Sequence, residues 1–115
     1  MKWYIARFLY QIIPEGHSQT NQFDEQVRLV RADDPAWAWE KAHVLGRLGE
    51  CRILNEKSVP LQWKFVSITN MYPLHELADG GELFSDTWHM ADGEEFVQKI
   101  QTQSVMAKDW LLSRQ

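Results

Sequence analysis

Cysteine is nearly absent from this chain. Cys51 stands alone, so no disulfide forms within the chain and a zinc–thiolate site lacks ligands. No apolar run approaches the ~18 residues of a membrane-spanning helix. Positive charge is also short: 12 Lys and Arg against 16 Asp and Glu give a net charge of -4, and no three basic residues stand together. Phosphate backbones and anionic membranes demand a concentrated positive field, so both are poor partners. The start, Met1 to Arg7, places Lys2 inside its apolar stretch and enters a strand pattern at once, so no signal peptide is expected. With one thiol, the expected compartment is a reducing cytoplasm. Catalytic signatures are missing as well: no Gly-x-Ser-x-Gly elbow, no phosphate-cradling glycine loop and no His-Glu-x-x-His pair.

What is present is an ordinary core-forming composition with tryptophan in excess. At 115 residues and 44% hydrophobic content, the chain is expected to form one domain, residues 1–115. The six tryptophans, at 3, 37, 39, 63, 88 and 110, are too dispersed for a repeat. Leu61–Ile68 is the strongest strand, with Trp63 and Phe65 on one face and Val66 and Ile68 on the other. Trp3–Ile13 reads as a first strand whose faces are both apolar: Trp3, Ile5, Leu9 and Ile13, with Arg7 and Gln11 as polar entries, against Tyr4, Phe8, Tyr10 and Ile12. Pro14–Asn21 is a polar loop, and Phe23–Ala32 a second strand closing a hairpin. Asp34-Pro35 starts a helix carrying Ala38, Ala42 and Leu45, which ends near Gly49. Cys51–Leu54 and Glu82–Met90 read as further strands, with a break at Tyr72-Pro73. Asp92-Gly93-Glu94-Glu95 opens a final helix of roughly 18–20 residues through Phe96, Ile100, Ala107 and Leu111.

The fold class that follows is α+β: a mainly antiparallel sheet of about five strands with two helices on one face, in the order ββαβββα. Helices on one face leave the other bare. A homodimer is therefore expected, formed at least partly through Tyr4, Phe8, Tyr10 and Ile12, with Trp37 as a further exposed anchor beside the alanine stripe.

Polar groups crowd most densely at His75, Glu76, Asp79 and Glu82, beside Gly80 and Gly81. A histidine with three carboxylates suits acid–base work or a weak hard-cation site, while a solvated turn explains the same residues. No catalytic residue, metal site or cofactor is assigned. His17, His43 and His89 read as surface histidines, and Cys51 as a small buried hydrophobe.

The motifs Met1-Lys2-Trp3-Tyr4-Ile5-Ala6, Gln22-Phe23-Asp24-Glu25-Gln26, Ala38-x-x-Lys41-Ala42, Gln62-Trp63-Lys64-Phe65 and Tyr72-Pro73-Leu74 stand together in this chain. Glu76-Leu77 and Asp79-Gly80-x-Glu82-Leu83 follow them. With these motifs the chain resembles, up to about Asp92, a family of short bacterial proteins that is a domain of unknown function. The resemblance implies a bacterial, cytoplasmic, single-domain protein and supplies no activity. The leading functional expectation is a non-enzymatic protein-interaction module of accessory or immunity type, its partner a second copy or another protein. The competing one is a small-molecule binder or minor enzyme with a pocket bordered by residues 75–82.

Overall fold

A computed structural model of the chain describes residues 1–17 and 20–114, so Ser18 and Gln19 of the expected Pro14–Asn21 loop lie outside the described residues. Two compact units divide the chain, Met1–Phe84 and Ser85–Gln115. The first holds four strands and one helix: β1 (Lys2–Pro14), β2 (Phe23–Ala32), α1 (Pro35–Leu48), β3 (Cys51–Leu54) and β4 (Pro60–Leu74). They form one antiparallel sheet in the order β2-β1-β4-β3. The second unit holds α2 (Gly93–Leu112). The architecture is α+β, with four strands among the described residues and not five.

Residues Glu82–Met90 are the difference, since they belong to no strand. Leu83 and Phe84 are consecutive, yet both line the same groove on the sheet's outer face, which strand alternation forbids. Phe84 packs its ring against Tyr72 (centroids 5.5 Å apart), with the Arg7 guanidinium 4.2 Å from the ring centre. The expected break at Tyr72-Pro73 is absent as well: β4 runs on to Leu74, and Pro73 pairs with Tyr4. A proline is tolerated there because β3 pairs β4 only over Pro60–Trp63 and leaves the far side of Pro73 without a strand.

Between β1 and β4 the register shifts twice, at Arg7/Phe8 and at Leu9/Tyr10. Tyr10 pairs Phe65 and Leu9 pairs Ser67, so Val66 is the extra residue; likewise Thr69 falls between Ile68 and Asn70. The bulge at Val66 reverses the alternation, and Ile68 returns to the face of Trp63 and Phe65 instead of opposing them.

That shared inner face is the core. Tyr4, Ala6, Phe8, Tyr10, Val30, Ala32 and Ile68 pack beneath Ala38 and Ala42 of α1. Small residues on both partners, Ala6 and Ala32 below and Ala38 and Ala42 above, let the helix lie close to the sheet. The helix begins as its sequence dictates: Asp34 Oδ1 accepts from Trp37 N at 2.8 Å, Pro35 opens the first turn, and Gly49 closes the last beside Arg47. In the second unit, Asp92 Oδ1 caps α2 by accepting from Glu95 N at 3.1 Å, and Trp88 packs edge-on against Phe96.

Candidate functional site

Along the inner face of β2, past the cover of α1, a polar ladder occupies alternate positions. Arg28 Nε donates to Gln26 Oε1 at 3.0 Å, Gln26 Nε2 donates to Asp24 Oδ2 at 2.8 Å, and Trp63 Nε1 reaches the same oxygen at 3.0 Å. Strand alternation puts these residues in one row, and the row follows the open edge of the sheet. The Arg28 guanidinium lies 4.9 Å from the Phe8 ring centre, a cation–π contact that fixes the top of the ladder.

Beside Arg28, the buried Tyr10 hydroxyl donates to the Gly46 carbonyl at 2.7 Å. Burial lifts its pKa above the ordinary 10.0 against the opposing pull of Arg28, with Glu50 and Cys51 adding to the rise. A hydroxyl whose folded pKa exceeds its unfolded one adds stability that is complete below about pH 10 and lost as pH rises through the folded value. Stability is therefore expected to fall on the alkaline side, and Tyr10→Phe to flatten that fall; urea midpoints measured across pH 9 to 12 check it.

On the outer face, β2 presents Phe23, Val27 and Leu29, all exposed, with Val27 at 63% and Leu29 at 57%. Glu25 interrupts them and is held from below by Arg7, whose Nε donates to it at 3.1 Å. Residues 74–84 cross this face and leave a groove of about 660 Å³, lined by Trp3, Ile5, Val27, Leu29, Leu77, Leu83 and Phe84 among others. A second cavity, of about 700 Å³, opens at the end of the sheet where α1 begins.

The residues singled out from sequence scatter. Tyr4, Phe8, Tyr10 and Ile12 are buried on the inner face, with Tyr4, Phe8 and Tyr10 in the cluster beneath α1; within the first unit, the face that α1 does not cover is the opposite one. Trp37 is 58% exposed on α1. His75, Glu76, Asp79 and Glu82 are all exposed; His75 lines both cavities, Glu76 the outer groove, and Asp79 and Glu82 neither. No cluster of three metal-ligating side chains occurs among the described residues. Cys51 is exposed and not buried, because it stands on the edge strand β3. His17 is exposed, His89 is exposed outside any strand, and His43 is half-buried with its ring 4.8 Å from that of Trp39. The ladder of Asp24, Gln26 and Arg28 escaped the sequence reading. Its signal is the i, i+2 spacing of three polar residues in the first half of a strand whose Phe23, Val27 and Leu29 lie on the other face.

Fold and surface together define, in the first unit, a small α+β domain whose antiparallel sheet is covered by α1 and edged by β2. The chain belongs to the family described as Domain of unknown function (DUF4288), whose model matches residues 3–85. The matched span ends one residue past the first compact unit, at Phe84. Comparison with curated proteins and with solved structures finds no match for this chain. No helix among the described residues is long and apolar enough to cross a membrane.

Proposed function

We propose that this chain is a protein-interaction module whose contact surface is the free edge and outer face of β2, and whose first partner is a second copy of itself. The self-complementarity of β2 carries the reading. An edge strand offers unpaired backbone N–H and C=O groups, a template for another strand. Pairing β2 antiparallel with its copy about a two-fold axis at Gln26 sets Asp24 opposite the partner subunit's Arg28, and Arg28 opposite the partner subunit's Asp24. Phe23 then faces the partner subunit's Leu29 on the outer side. Opposite charges and apolar pairs directly across an antiparallel ladder are both favourable. Moving the axis to Arg28 would place two guanidinium groups face to face, so charge selects the first register. The outer faces of two copies then join into one apolar surface, rimmed by the groove at Leu77, Leu83 and Phe84.

In this register Val27 lies opposite the partner subunit's Glu25, so Val27→Asp sets two carboxylates against each other. Val27 is exposed within the chain, so the fold is expected to survive. Sedimentation velocity of the wild type is expected to show a dimer at high micromolar concentration, and Val27→Asp to weaken it at least about tenfold. A wild-type monomer at that concentration, or a dimer indifferent to Val27→Asp, contradicts the proposal.

A further inference from the structure

We infer that the cavity at the start of α1 is a binding site for a small planar aromatic carboxylate, a site separate from the β2 edge. It measures about 700 Å³, within the range of about 300–1,000 Å³ usual for small-molecule sites. Trp3 and Tyr4 at the start of β1, Trp39 of α1 and Met71 near the end of β4 form its walls, with Lys2 and His75 as their charged or titratable companions.

Tyr4 points to a ligand. Only 4% of the residue is exposed, and none of the side-chain hydrogen bonds seen among the described residues involves its hydroxyl. Yet no fully enclosed side-chain oxygen or nitrogen among them lacks a partner. The Tyr4 oxygen therefore keeps some access to solvent, on a residue that lines this cavity, and is free to meet a ligand bound there. Buried polar groups are held by hydrogen bonds, and one left open in an apolar recess is the polar handle by which such recesses orient a ligand.

The rest of the lining fixes the ligand's class. The indoles of Trp3 and Trp39 and the thioethers of Met1 and Met71 favour a flat, polarisable ring system, since aromatic faces and methionine sulfur both pack well against rings. No carboxylate lines the cavity, whereas Lys2 does. A cation would meet like charge there and an anion an opposite one, so the ring carries a carboxylate. One of its oxygens accepts from the Tyr4 hydroxyl.

Isothermal titration of the full chain with 2-naphthoate, and in parallel with 2-naphthylmethylamine, tests this. Saturable binding of one naphthoate per chain is expected, with the amine weaker. Tyr4→Phe, which removes one oxygen and keeps the ring, is expected to weaken naphthoate about tenfold, the loss of one hydrogen bond to a charged group. Lys2→Glu, at an exposed position, is expected to weaken it too. Val27→Asp is expected to leave it unchanged, which separates this site from the β2 contact. No saturable binding at millimolar naphthoate overturns the inference, as does an amine that binds equally well. An affinity that survives both Tyr4→Phe and Lys2→Glu overturns it as well.

Discussion

Phe8→Ala is expected to lower the free energy of unfolding by about 3–5 kcal/mol, the usual cost of emptying a large buried aromatic site. Phe8 is fully buried at the middle of β1, pairing with Gln26 of β2 on one side and Ile68 of β4 on the other. Its ring lies 6.2 Å from that of Phe65, and the Arg28 guanidinium rests on it. The alanines packed nearby, Ala6, Ala38 and Ala42, have no side chain long enough to fill the space. Truncation therefore leaves a cavity and also strips the support from Arg28, the top of the β2 ladder. Urea denaturation of the variant checks the value; a loss under about 1 kcal/mol would mean that α1 does not cover this face as described.

Gly46→Val is expected to cost about 2–3 kcal/mol, at the upper end for overpacking. A Cβ at Gly46 would sit 2.8 Å from Phe65 Cδ1 and closer still to Cε1 and Cζ. The ring has little room to yield, because Phe8 and Tyr10 pack against it and His43 meets it edge-on. The Gly46 carbonyl also receives the Tyr10 hydroxyl, so pushing the helix outward stretches that hydrogen bond as well. Replacing glycine inside a helix is normally favourable by up to about 1 kcal/mol. Close approach reverses the sign here. Thermal unfolding of Gly46→Val beside the wild type measures it, and an unchanged midpoint would refute the tight contact between α1 and β4.

How far the sequence discloses this fold depends on how local each determinant is. The ends of α1 are legible because Asp34, Pro35 and Gly49 act within one turn of their own position. The hairpin of β1 and β2 is legible from alternation on either side of a polar loop. Which face of β1 the helix covers is a tertiary matter. Both faces of β1 are largely apolar; Arg7 and Gln11 interrupt the outer one, and the paired small residues, Ala6 and Ala32 facing Ala38 and Ala42, mark the inner one. The bulge at Val66 is hidden for a related reason: an extra residue is defined by its partner strand, and Phe65-Val66-Ser67-Ile68 reads as plain alternation until β1 is beside it.

The candidate sites follow the same rule. His75 to Glu82 drew attention as a dense run of polar residues, but density along the chain does not bring their side chains together. Of these four, His75 lines both cavities, Glu76 one, and Asp79 and Glu82 neither. Tyr4 and Trp39 lie thirty-five positions apart and meet only because α1 begins beside the start of β1. The β2 ladder, by contrast, lies wholly within ten residues and is readable once β2 is known to be an edge.

Pairing of β2 with β2 of a second copy would show in amide hydrogen exchange. Exchange over Phe23–Ala32 is to be followed at low and at high micromolar concentration. Antiparallel pairing predicts that β2 amides not bonded to β1 gain protection as concentration rises, while β3 amides on the opposite edge do not change. Exchange across β2 that is independent of concentration, or a gain of protection at β3 instead, would contradict the account.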